Sequence, residues 1–243
     1  MRVRQSDLRA ITAMGQQKGG DMPRIIKAIL CDVDGTIIDS FSRGFYKLRL
    51  AAERFGYDYT EETERIAIEH WGAPLDKLLL ICFPDVTSET ARKMRRLFVD
   101  LDTTEPPGAI AGALAVLELL AKEGIVFTVL TSRDSVTCGH LLRNAAMDHY
   151  FIHVAAQDTT EHHKPDPRVF ACTMEKLKEH GIEPDECVLI GDTYDDWKAG
   201  QAFGMRTVIV KTGPLMHPTA DIPEEDHIQS FAELPDWLSR NNF

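Results

Sequence analysis

Four short polar segments hold residue types that could do chemistry together. Asp32-Val33-Asp34-Gly35-Thr36 sets two carboxylates two residues apart, directly after the apolar run 25–31. Thr131-Ser132-Arg133 follows the apolar run 125–130, and Gly191-Asp192-Thr193-Tyr194-Asp195-Asp196 follows the run 187–190. Lys164-Pro165 stands just before the amphipathic stretch 168–180. Carboxylates serve as nucleophiles, proton carriers or cation ligands, while hydroxyls and a lysine hold anions. If the apolar runs are parallel strands, these segments lie along one sheet edge, outside the carboxyl ends where open α/β sheets bind ligands.

The positioning elements are legible from hydrophobic pattern. Apolar, β-branched runs at 25–31, 125–130, 151–155, 187–190 and 207–210 suit parallel strands covered on both faces. Between them, 110–121 carries Leu114, Leu117, Leu120 and Ala121 on one helical stripe before Gly124, and 168–180 ends at Gly181. This alternation predicts an α/β fold with a doubly wound parallel sheet. The connection from Cys31 to Ile125 far exceeds one crossover helix and two loops. Its surplus, 41–106, repeats helical spacing in Phe45, Leu48, Ala52 and Phe55, then in Leu75, Leu78 and Leu79, with Ser88 as an N-cap ahead of 91–101. It closes on Pro106-Pro107-Gly108. The expected division is a leader 1–23, an α/β core of 24–40 with 107–243, and an inserted all-helical domain 41–106.

Composition narrows the function. The 243 residues hold 27 basic and 38 acidic side chains, a formal charge of −11, which argues against nucleic-acid and anionic-membrane binding. An anionic small substrate remains compatible, since a site can be locally positive. The richest apolar stretch, 114–130, is broken by Glu118, Lys122 and Glu123, so no membrane span is expected. Five scattered cysteines without a C-x-x-C spacing point to a reducing, cytoplasmic compartment. The first 21 residues are polar, lack a signal-peptide core and include Asp7 and Asp21. They are expected to form a disordered extension, with Met22 as an alternative start.

In their order, the four segments resemble the motifs of the haloacid dehalogenase-like hydrolase superfamily, specifically its phosphoglycolate-phosphatase-like members with a helical cap. The resemblance runs from about Arg24 to the C-terminus. His162-His163-Lys164-Pro165-Asp166-Pro167 resembles the Lys-Pro-x-Pro stretch, with His163 where many relatives carry glycine. The resemblance implies that Asp32 attacks the phosphorus to form an aspartyl-phosphate. Asp34 then acts as acid and base, its pKa lifted by the neighbouring dianionic phosphate. Lys164 neutralises Asp32 and the phosphoryl oxygens, and Thr131 or Ser132 holds the phosphate. Mg²⁺ sits on Asp32, the backbone carbonyl of Asp34 and Asp192, with Asp196 as a water-mediated partner in preference to Asp195.

The implied activity is a Mg²⁺-dependent phosphatase acting on a small phosphorylated metabolite, a phosphoglycolate-like acid or a sugar phosphate. A sugar-phosphate mutase of the β-phosphoglucomutase type is the nearest alternative, and a non-catalytic regulatory protein a remote one. Trp71-Gly72-Ala73-Pro74 resembles the family's cap loop, although a plain helix–helix turn explains it equally. Arg43 is a candidate contact for a substrate anion, although a solvated arginine is the simpler reading.

Overall fold

The computed structural model describes residues 25–71, 75–213 and 221–241. The expected leader 1–23 and the loop residues 72–74 lie outside them. Two compact units emerge: the chain up to Ile38 together with Ala109 onwards, and Asp39–Gly108. The divisions fall two residues before and two residues after the expected limits of the insert.

The first unit is built on a six-stranded sheet, all of whose neighbouring pairs are parallel. Its strands are β1 (Ala28–Cys31), β2 (Val126–Leu130), β3 (Phe151–Ala155), β4 (Cys187–Gly191), β5 (Arg206–Val210) and β6 (His227–Ile228), in the order β3-β2-β1-β4-β5-β6. Every residue of β1 is buried, and alternate side chains serve opposite faces. Ile29 and Cys31 join one core, packed with α5 (Ala113–Lys122), α6 (Ser135–Asn144) and α9 (Leu234–Arg240). Ala28 and Leu30 join a second, packed with α7 (Ala171–Glu179) and α8 (Tyr194–Phe203). Continuous apolar runs are what such two-sided coverage demands. On α5 the buried stripe is Ala113, Val116, Leu117 and Leu120, whereas Leu114 and Ala121 are exposed. The helix is capped at Gly112 and begins at Ala113, later than its apolar pattern suggests, and Val116 takes the buried place expected of Ala121. Gly124 and Gly181 do adopt positive φ, at 89° and 70°.

The second unit is all-helical. Its helices are α1 (Ser40–Phe55), α2 (Glu61–Glu69), α3 (Leu75–Cys82) and α4 (Ser88–Thr104). Asp39 caps α1 by accepting from Ser42 N–H, and Thr87, rather than the expected Ser88, caps α4 by accepting from Thr90 N–H. Leu48, Leu79, Met94 and Phe98 are buried in its core, each contributing about 1.5–3 kcal/mol by removal from water. Trp71 stacks on Phe45 at 5.0 Å between ring centres and meets Phe41 edge-on at 5.2 Å. The entry and exit of this unit meet where Asp39 N–H donates to the Gly108 carbonyl at 2.9 Å. In the first unit, Ile110 N–H likewise donates to the Ile37 carbonyl at 2.9 Å.

Candidate active site

Strand order creates the site. The sheet changes winding direction between β1 and β4, and such a switch point opens a crevice beyond the carboxyl ends of the strands. Cys31 pairs with Val129 on one side and Ile190 on the other, and Asp32 N–H donates to the Ile190 carbonyl at 2.9 Å. Asp32 therefore emerges between the ends of β2 and β4, beside Thr131 and Asp192. The following turn is tight: the Val33 carbonyl accepts from the N–H groups of Thr36, Ile37 and Ile38. Gly35 takes a φ of 75° within it, a conformation costly for other residues.

Lys164 reaches this edge from the connection between β3 and α7, with its side chain only 7% exposed. Its Nζ donates to Asp32 Oδ1 at 2.8 Å and to Asp196 Oδ1 at 2.6 Å. Asp196 is further held by Thr193, through Oγ1 at 2.5 Å and N–H at 3.1 Å, in a reciprocal cap on α8. Asp195 beside it is exposed. The Lys164–Pro165 bond is cis.

Asp32, Asp192 and Asp196 bring carboxylate oxygens within 4.8 Å of one another. One ammonium stands against these three carboxylates, and Asp192 Oδ1 is buried without a hydrogen-bond partner. Burial pushes the Asp32 carboxyl up; Lys164 pulls it back, Asp196 and Asp34 add to the rise, and it settles at about 7. Burial, then the charges of Asp32 and Asp196, lift Asp192 well above the carboxylate range. Burial works against the Lys164 ammonium, but Asp196 and Asp32 outweigh it and raise its pKa. Among the described residues, the site is thus short of positive charge, has oxygen donors alone and holds one orphaned carboxylate oxygen. A hard divalent cation answers all three conditions.

Glycines shape the space around these acids. A Cβ at Gly191 would lie 2.3 Å from Asp196 Cγ, and one at Gly213 only 1.6 Å from Asp192 Oδ2. Thr212 Oγ1 donates to the Gly35 carbonyl at 2.5 Å, tying the chain beyond β5 to the turn after Asp34.

Of the expected phosphate-binding hydroxyls, Thr131 is buried and accepts from Arg133 N–H at 3.1 Å, while Ser132 is exposed. Asp34 does not sit among the other acids as an isolated carboxylate. Arg133 grips it with two hydrogen bonds, Nε to Oδ2 at 3.0 Å and Nη2 to Oδ1 at 2.5 Å. Sequence reasoning passed over this partner, as it did Thr212 and Gly213. In the helical unit, Arg43 donates to the Glu105 carboxylate at 2.5 Å and its carbonyl at 3.1 Å, and its guanidinium lies 4.4 Å from the centre of the Tyr46 ring.

Residues 29–210 match the family profile of haloacid dehalogenase-like hydrolases, including all four polar segments. The chain belongs to this family. Among its relatives is the phosphoglycolate phosphatase of Rhodospirillum rubrum, 31% identical over 127 residues, a match that spans 52% of each chain. The pyrophosphatase PpaX of Bacillus pumilus is 29% identical over 191 residues, covering 75% of this chain and 82% of the relative. A haloacid dehalogenase-superfamily hydrolase from Geobacter sulfurreducens shares the fold with a TM-score of 0.66 at 24% identity, over 88% of this chain and 96% of the other. Among the described residues, no helix is long and apolar enough to cross a membrane.

Proposed function

We propose that this hydrolase removes phosphate from small phosphate monoesters through an aspartyl-phosphate on Asp32. The observation that carries the reading is the Asp32–Lys164 contact at 2.8 Å inside a cluster of buried acids at the switch point of the sheet. Lys164 engages Oδ1 of Asp32; Oδ2 meets the Thr36 hydroxyl only at 3.5 Å, which leaves that oxygen able to attack. In the first step Asp32 forms a bond to phosphorus, the ester P–O bond breaks, and Asp34 gives a proton to the departing oxygen. In the second step Asp34 takes a proton from water as it attacks the aspartyl-phosphate, releasing phosphate and restoring Asp32. Thr131, Ser132 and Lys164 hold the phosphoryl oxygens, with Lys164 acting in a dry setting where its charge is felt strongly.

Asp32, Asp192 and the Asp34 carbonyl are the groups to hold Mg²⁺, with Asp196 supporting it through water. The ion supplies positive charge for the phosphoryl oxygens and lets Asp32 stay ionised. The helical unit carries none of these groups, so we assign to it, as a cap, the selection among substrates. The relatives named above are called phosphoglycolate phosphatase and pyrophosphatase, which supports a small, strongly anionic substrate such as a phosphorylated acid or a sugar phosphate. All five cysteines are unpaired, which supports a cytoplasmic setting.

Phosphate release from a panel of phosphoglycolate, sugar phosphates, nucleotides and pyrophosphate tests the reading. Turnover is expected with Mg²⁺, and its loss is expected with EDTA or Asp32→Asn. Full activity of Asp32→Asn in a clean preparation would overturn the covalent route. Phosphate returned to a sugar instead of to water would mark a mutase.

A further inference from the structure

We propose that Arg133 is the positioning residue for Asp34, fixing the carboxylate at the point where the leaving oxygen must be protonated. The inference rests on the acid/base reading of Asp34 and adds a residue to it. Arg133 is itself held firmly. Its N–H donates to the Thr131 hydroxyl at 3.1 Å, and its carbonyl accepts from Gln157 N–H at 2.9 Å. From this anchored backbone the side chain crosses to a residue 99 positions earlier and forms one N–H···O bond to each oxygen of its carboxylate. A guanidinium fork fixes both the place and the plane of a carboxylate, which a lysine ammonium does not.

The need for such a clamp follows from how Asp34 is mounted. Asp34 lies in the tight turn after β1, with its side chain 33% exposed and beyond the buried cluster that Lys164 orders. Left alone, a partly solvated carboxylate samples several rotamers, and an acid displaced by an ångström loses much of its effect. A carboxylate oxygen has two lone-pair sites and a guanidinium N–H engages one of them, so a fork of this kind does not itself bar the carboxylate from meeting a departing or incoming oxygen.

A positioned acid matters in proportion to how badly the leaving group needs a proton. An alkoxide leaves poorly without one, whereas p-nitrophenolate leaves readily. The experiment compares kcat/KM, which reports steps through leaving-group departure, for phosphoglycolate and p-nitrophenyl phosphate in Mg²⁺-loaded wild type, Arg133→Gln, Arg133→Lys and Asp34→Asn. Circular dichroism and thermal melting confirm that each variant is folded. Asp34→Asn and Arg133→Gln are both expected to lose activity on the alkyl ester by at least about ten-fold more than on the aryl ester, within the range of general acid catalysis. Arg133→Lys should stay impaired, and added guanidinium should partly restore Arg133→Gln on the alkyl ester.

If Asp34→Asn shows the leaving-group dependence and Arg133→Gln does not, Arg133 has no positioning role and the inference alone fails. Equal loss on both esters in Arg133→Gln would likewise overturn it, assigning Arg133 to phosphate binding. If Asp34→Asn itself affects both esters alike, the acid/base reading of Asp34 falls, and the positioning role falls with it.

Discussion

The carboxylate of Asp192 fills the space that a side chain at position 213 would require: a Cβ built on Gly213 would lie 1.6 Å from Asp192 Oδ2. Gly213→Ala must therefore displace either the chain after β5 or Asp192. Overpacking of this kind costs about 1–3 kcal/mol, and a displaced ligand weakens metal affinity by about 10–100-fold. Calorimetric Mg²⁺ titration and thermal melting of the variant should show both changes. Loss of stability with unaltered Mg²⁺ affinity would show that the chain after β5 gives way and Asp192 does not, and Asp192→Ala titrated in the same way then decides whether Asp192 holds the ion.

Stability should fall with rising pH in the metal-free protein and lose that dependence when metal is bound. In EDTA, the folded protein keeps a proton on Asp32, whose carboxyl is raised to about 7, at pH values where the unfolded chain has already lost it. The folded state then binds more protons between about pH 4 and 7, so stability falls as pH rises, by up to about 1.4 kcal/mol per unit. Denaturant titrations at pH 5.5 and 8 in EDTA should show this decline, and Asp32→Asn should reduce it, with the raised Asp192 carboxyl contributing the remainder in the same sense. Excess Mg²⁺ should remove it by favouring the carboxylate. A metal-free protein more stable at pH 8 than at 5.5, by a margin unchanged in Asp32→Asn, would contradict the assignment.

Lys164→Met keeps the length of the side chain and removes its charge. Asp32 and Asp196 are then left buried without their shared ammonium. Breaking a buried pair from one side costs about 3–5 kcal/mol, and turnover should vanish on every ester. Denaturant unfolding at pH 8 in EDTA should record a loss of that order. A loss below about 1 kcal/mol would show that the two carboxylates find other partners.

The helical unit should govern preference and spare the chemistry. Trp71→Ala removes the ring stacked on Phe45, and Arg43→Gln releases Glu105. Each is expected to shift relative kcat/KM among phosphorylated metabolites several-fold more than it lowers the rate on a small aryl phosphate. Equal reduction across the panel would remove substrate selection from this unit.

The strands and the four polar segments were legible because each depends on local pattern: an apolar run buried on both faces, then polar residues at its end. Elements with weak local pattern escaped. In α2 the buried positions are Thr63 and Ala67, neither of which marks a hydrophobic stripe, and β6 is only two residues long. The cap of α4 fell one residue early, at Thr87, because threonine and serine are adjacent there and both belong to the residue types that cap. The site was readable only as a set of strand ends. The grip of Arg133 on Asp34 spans 99 residues and that of Thr212 on Gly35 spans 177, and neither pairing has any local signature. Gly213 likewise carries no local signature of the Asp192 carboxylate that lies against it.

The backbone bond between Asp39 and Gly108 has an evolutionary corollary. It stitches the two ends of an excursion of about 70 residues to each other. Because closure entropy grows only with the logarithm of loop length, lengthening or trading such an excursion burdens the sheet little once its ends are joined. The stitch makes the insert an exchangeable module. Descendants of one hydrolytic chassis could acquire new inserts at this seam, and with them new metabolic niches, while β1, β2 and β4 stayed as they were.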